Sequence, residues 1–113
     1  MTNFANKLGL ALVLLCAGSE ASHARDDEQR RIRGVLEGLC GRCHAVTKIG
    51  RSPLAEAPPF RTFGDSKLYD EDFRQRLQNG LSSIHPDMPT FHFDRRDAEA
   101  AVSYLRAIQE HKK

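Results

Sequence analysis

The chain has 113 residues, enough for one domain and too few for a second. Its 17 Lys and Arg against 15 Asp and Glu leave a formal charge of +2, too small to point to nucleic acid or an anionic membrane surface. Hydrophobic residues make up 40% of the chain, but part of that share sits in the first two dozen positions, so the core of the folded part is leaner than the figure implies.

The N-terminal segment reads as a secretory signal. Lys7 supplies the positive region, and Leu8 to Ala17 is an uninterrupted apolar run. The more polar stretch from Gly18 ends with small residues, Ser22 and Ala24, placed for a cut after Ala24. A membrane span needs roughly 20 apolar residues, and this run is about half that, which disfavours an uncleaved anchor. Leu15 stands where a lipidated Cys16 would need a small neighbour, which disfavours a lipoprotein. The expected organisation is a signal over 1–24 and one domain over 25–113, exported to the periplasm and without stable membrane insertion after cleavage.

A first helix is expected from about Asp26, with Asp26, Asp27 and Glu28 at its positive end. Ile32, Val35, Leu36 and Leu39 give it a one-sided apolar stripe that runs directly into Cys40. From Ala45 to about Asp65, Gly50, Pro53, Pro58, Pro59 and Gly64 mark a loop. A second helix is expected from near Asp70, with Phe73 and Leu77 on one face and Gly80 ending it. A loop carrying Pro86 and Pro89 follows. The last helix has Asp94 as N-cap, Asp97 three positions on, and Ala98, Ala101, Val102, Leu105 and Ile108 as its apolar stripe. No segment alternates with period two, so no sheet is expected. The loops are long for so short a chain, which makes sense if they wrap around something.

Cleavage would remove Cys16 and leave only Cys40 and Cys43, too close together to staple distant parts of the chain. A domain of about 89 residues then needs another source of core. Cys40-Gly41-Arg42-Cys43-His44 supplies the pattern for it, the C-x-x-C-H of covalent haem attachment. Two thiols at that spacing reach the two vinyl groups on one porphyrin edge, and the adjacent imidazole coordinates iron. A thioredoxin-like pair would call for a βαβ context that the sequence lacks. A zinc site built from Cys40, Cys43 and two of His44, His85 and His92 is the other alternative.

A six-coordinate iron needs a second axial ligand. Met88 is the only methionine besides the first residue, and it lies in His85-Pro86-Asp87-Met88-Pro89. Pro89 pushes it towards extended backbone and Pro86 stiffens the approach, which suits a thioether held on a rigid loop. His85 and His92 are its rivals, and bis-histidine ligation would lower the reduction potential.

With these motifs in this order, together with Ala57-Pro58-Pro59-Phe60-Arg61 and Ala101-Val102-Ser103-Tyr104-Leu105, the chain resembles the small class I cytochromes c of bacteria across essentially all of 25–113. The resemblance implies an all-α fold of three main helices and Pro-rich loops wrapped around one haem c. It assigns Cys40, Cys43, His44, Met88 and Pro59 to the cofactor, with His44 and Met88 on the metal. It asks the carbonyl of Pro58 or Pro59 to accept a hydrogen bond from His44 Nδ1–H, which fixes the ring and raises its basicity. It also implies that the first and last helices cross near the haem edge, with Gly34 permitting close approach there. Phe60, Phe63, Leu68, Phe73, Leu77, Ile84, Phe91 and Tyr104 would line the pocket, and Arg51 and Arg61 are candidates for the propionates. The expected function is single-electron transfer rather than catalysis, because two protein ligands leave no open iron position. Its partners would be transient redox proteins, donor and acceptor, with the chain itself a monomer. Alternatives are the haem subunit of a periplasmic oxidoreductase and a haem sensor or gas-binding protein with a displaceable sixth ligand.

Overall fold

A computed structural model of the chain describes residues 4–64, 71–81 and 85–110, and for residues 4–17 the backbone alone. Helix α1 spans Phe4–Cys40, longer than the segment expected from about Asp26, and passes without a break through Ala24. Residues 18–27 are all exposed, and beyond them α1 carries half-buried and buried positions. Among the described side chains, the part of α1 that packs is the part that carries the apolar stripe. Ile32 and Leu36 are fully enclosed and Val35 is partly so. Leu39, the fourth member, is 42% exposed. No helix among the described residues is long and apolar enough to cross a membrane.

Two further helices complete the all-α architecture among the described residues. Helix α2 covers Glu71–Asn79 and buries Phe73 and Leu77, the two residues expected to share a face. Gly80 follows with φ of 111°, a left-handed conformation that favours glycine at a helix end. A side chain there would also press on the His92 imidazole, 2.9 Å from the added carbon. Helix α3 covers Arg95–Ile108 and is capped by the Asp94 carboxylate, which accepts from Asp97 N–H at 2.8 Å. Ala98, Ala101, Val102, Leu105 and Ile108 are all buried, as the apolar spacing requires. No strand forms among the described residues, where Leu81 and Phe91 make one isolated antiparallel bridge.

Helix α3 is the centre of the fold. Helix α1 packs along it most extensively, α2 packs against it, and the short 3₁₀ turn Phe60–Thr62 closes a third side. Gly34 takes no part in a close helix crossing: it is exposed, and a side chain there would meet nothing within 4 Å. The α1–α3 contact rests instead on Ile32 and Leu36 and on a charged clasp above them. The Glu28 carboxylate accepts from Arg31 at 2.9 and 3.0 Å and from Arg96 at 3.2 and 3.0 Å, while Arg31 also donates to Asp97 at 2.7 Å.

The hydrogen bonds from Arg31, then those from Arg96, hold the Glu28 carboxyl down at about 2, well below its ordinary 4.5. Folding thus favours the charged form. The stabilisation it brings is complete above about pH 4.5 and is lost as pH falls towards 2. Glu28→Gln should therefore unfold at a lower temperature than the unaltered chain near neutrality, by a modest margin because the clasp is partly solvated. The two melting curves, measured between pH 6 and about pH 2, should converge at the acid end. A constant gap across that range would count against the clasp.

The loop between α1 and the 3₁₀ turn is held by single backbone bonds and by side chains rather than by regular structure. Ala45 N–H donates to Ser52 Oγ at 3.0 Å, Leu54 N–H to the Cys43 carbonyl at 3.1 Å, and Phe60 N–H to the Ala45 carbonyl at 3.0 Å. The buried Gln109 amide donates to the carbonyls of Phe60 and Leu105 and accepts from Gly64 N–H. Tyr104 Oη–H, from the middle of α3, donates to the buried Val46 carbonyl at 2.9 Å. Tyr104→Phe would keep the packing and strand that carbonyl, so a loss of about 1–2 kcal/mol is expected in denaturant unfolding. An unchanged midpoint would mean that water replaces the hydroxyl.

Candidate cofactor site

The site begins where α1 ends. Cys40 is the last helical residue, and its carbonyl accepts from both Cys43 N–H at 3.1 Å and His44 N–H at 2.9 Å. This tight turn returns Cys43 and His44 beneath the end of the helix. Both cysteines are half-buried, and no disulfide joins them. Burial, and to a lesser degree the neighbouring Cys43, push the Cys40 thiol up to about 11, so it is a neutral S–H at pH 7. A thioredoxin-type pair needs the opposite shift on its attacking thiol.

His44 Nδ1 lies 2.8 Å from the Pro58 carbonyl oxygen. A carbonyl can only accept, so Nδ1 carries the hydrogen and the Nε2 lone pair is the one left to bind a metal. The Phe60 ring supports the imidazole in a tilted contact, with centroids 5.0 Å apart, and Phe63 meets Phe60 in a second tilted contact at 5.0 Å. Of the two prolines left open by the sequence, Pro58 is thus the one beside His44. Pro59, assigned to the cofactor by resemblance, is corrected to a structural role: its carbonyl accepts from Thr62 N–H and Thr62 Oγ1–H and so starts the 3₁₀ turn.

A cleft of about 110 Å³ opens at this point. Cys40, Cys43 and His44 line it from the end of α1, and Leu54, Ala57 and Pro58 line it from the following loop. His85, Asp87, Met88 and Pro89 enter it from the segment before α3. Met88 is half-buried and sits at the end of a turn in which its N–H donates to the His85 carbonyl at 3.2 Å. The fold therefore brings Met88 to the same cleft as Cys40, Cys43 and His44, across more than forty residues of chain. Of its two rivals, His85 shares the cleft, with Nδ1 accepting from Asp87 N–H at 3.4 Å, whereas His92 is exposed and lies over Gly80.

Other expectations are corrected. The aromatic residues thought to line the pocket build the core behind it: Phe60, Phe73, Leu77 and Tyr104 are buried against α3, with Phe63 and Phe91 packed on them. Leu68 and Ile84 lie outside the described residues. The physical reason is that α3 presents a long apolar face, with seven of its residues buried, and the aromatic rings gain most by covering it. The cleft walls are smaller residues from the loop, together with Leu39, whose exposure reflects its position at the cleft. Arg61 is engaged elsewhere, paired with Glu110 at 2.7 Å and donating to the Gly50 carbonyl at 2.8 Å. Arg51 is exposed. Among the described residues, no three His, Cys, Asp or Glu side chains converge as a metal-binding group, so the zinc arrangement is not preformed.

Sequence reasoning missed Leu54 and Ala57 as wall residues and Gln109 as a clamp on the loop. None carries a motif, though the Ala57-Pro58 pair falls within a stretch already singled out. Compared with known proteins, the chain matches no family model, and no curated sequence or solved structure is significantly similar to it.

Proposed function

We propose that this chain is a periplasmic single-electron carrier of the class I cytochrome c type, holding one haem c with His44 and Met88 as axial ligands. The observation that supports the reading best is the convergence of Cys40, Cys43, His44 and Met88 on one cleft. The donor set suits the group: two thiols near one edge, an imidazole with its Nδ1–H already engaged by Pro58, and a thioether from a separate loop. Cys40, Cys43, His44 and His85, the donors a zinc site would use, also line the cleft, but among the described residues no three of them converge as a metal-binding group, and Met is a poor choice for zinc.

Bound there, the haem supplies one reversible electron between ferrous and ferric iron. The rest falls to the chain. Cys40 and Cys43 hold the cofactor covalently, so it is not lost outside the cytoplasm. His44 is aimed by the Pro58 carbonyl and propped by Phe60, which limits its movement between oxidation states. Leu54, Ala57 and Pro58 give the cleft apolar walls, which favours the less charged oxidation state. With His44 and Met88 both holding the iron, no open site would be left for substrate, and electrons would pass to a weakly docked partner.

The visible spectrum of the mature protein, made alongside c-type maturation machinery, tests this. Sharp low-spin c-type bands on reduction, with the weak long-wavelength iron–sulfur band when oxidised, are the expected result. Haem bands without the sulfur signature would transfer the sixth position to His85 or leave it open, and carbon monoxide binding would separate those two. Absence of covalent haem would end the reading.

A further inference from the structure

We infer that Gly41 is a positioning residue for haem attachment, because a side chain between the two cysteines at this position would collide with the last turn of α1. The inference rests on the c-type haem reading above and adds to it a requirement at a spacer position, where the C-x-x-C-H pattern itself imposes none.

The constraint at Gly41 is steric. Gly41 follows directly on the final helical residue, and its N–H still donates to the Glu37 carbonyl at 3.0 Å. A Cβ added to Gly41 would fall on the Glu37 carbonyl oxygen, well inside contact distance, with the Glu37 carbonyl carbon at 3.2 Å and its Cα at 3.3 Å. All three atoms belong to the helix backbone, so none can swing aside as a side chain would. The requirement is one of space, since Gly41 is not among the glycines with positive φ (Gly50, Gly64 and Gly80). It is also local. At Gly34 and Gly38, on the same helix, an added Cβ would meet nothing within 4 Å, and Arg42, the other spacer residue, is exposed.

Relief of the collision must break the Gly41–Glu37 hydrogen bond or rotate the chain after Cys40. Either movement shifts Cys43 and His44 relative to Cys40, and their other anchors resist it: the Cys43 carbonyl is held by Leu54 N–H and His44 by Pro58. Attachment is sensitive to such a shift. Each thiol adds across one vinyl double bond, sulfur to one carbon and hydrogen to the other, with no leaving group and no oxidant. Both additions must be made to one rigid macrocycle, so the second thiol has to arrive where the first has fixed the ring. A misplacement of about 1 Å is enough to cost orders of magnitude in a positioned reaction.

The test compares Gly41→Ala, Gly38→Ala, Arg42→Ala and the double variant Gly38→Ala/Gly41→Ala, each produced with c-type maturation machinery. The readouts are free thiols counted by alkylation and mass spectrometry, and the haemochrome band in pyridine, which moves to the red for each vinyl group left unsaturated. Gly41→Ala should lower the fraction of chains with both thioethers by about tenfold or more, leaving one free thiol or no haem. Gly38→Ala and Arg42→Ala should match the unaltered chain. Gly38→Ala also strengthens the helix, so the double variant separates placement from fold stability. Continued loss of the second thioether in it supports the inference, and restored double attachment overturns it. Double attachment in Gly41→Ala at the unaltered level, with an unshifted band, also overturns it. Absence of haem from the unaltered chain is a different failure, that of the cytochrome reading itself.

Discussion

Cys43→Ala, and equally Cys40→Ala, should lose stable haem and with it much of the cooperative fold. The described core has two unequal sides. Behind the site, Ile32, Leu36, Phe60, Phe73 and Leu77 close on the apolar face of α3 and are enclosed by protein alone. In front, Leu54, Ala57, Pro58 and Met88 face the cleft, and Leu39 beside them is 42% exposed. A bound macrocycle would cover these walls and join the end of α1 to the Met88 loop, a contact the chain does not make by regular structure. A ligand held a thousandfold above its dissociation constant stabilises a fold by about 4 kcal/mol, and small domains have only about 5–15 kcal/mol in total. Losing one covalent link should therefore take a large part of the stability. Haem staining on a denaturing gel and thermal unfolding would report it together. A well-folded, haem-free Cys43→Ala protein that melts with the unaltered chain would refute the idea that the cofactor is part of the core.

The helices were legible because their signals are short-range. Phe73 and Leu77 one turn apart, the Asp94 cap with Asp97 after it, and the α3 stripe from Ala98 to Ile108 each depend on neighbours within a turn or two, and each is found as read. The start of α1 was not legible in the same way. A signal segment and a helix share apolar composition, and nothing in Gly18 to Ala24 forbids helical backbone. The site divides similarly. Cys40, Cys43 and His44 are a contiguous motif, whereas Pro58 could not be told from Pro59 by sequence, because two adjacent carbonyls differ only in where the loop points them. The aromatic residues were misplaced for a related reason. Composition says that they are buried, not whether they face the cleft or the opposite side of α3. Gly41 was in plain view within the motif, but its role depends on a collision with Glu37 that only the path of the backbone reveals.

Met88→Ala should open the sixth position, remove the long-wavelength sulfur band, admit carbon monoxide to the reduced protein and lower the potential. These effects follow from where Met88 is held. It stands at the end of the turn closed by its own N–H on the His85 carbonyl, between Pro86 and Pro89, and it lines the cleft that Cys40, Cys43 and His44 line. A thioether is a weak donor that favours the reduced metal, so its removal should cost a sizeable part of the roughly 0.8 V range over which axial ligands set haem potentials. Stability should fall less than in the cysteine variants, since Met88 is only half-buried and the thioether links remain. His85 provides the internal check. It shares the cleft, so a low-spin spectrum that persists in Met88→Ala and disappears in Met88→Ala/His85→Ala would show His85 taking the vacated position. An unchanged spectrum and potential in Met88→Ala alone would remove Met88 from the iron and transfer the ligand role to His85, because His92 lies over Gly80 and outside the lining of the cleft.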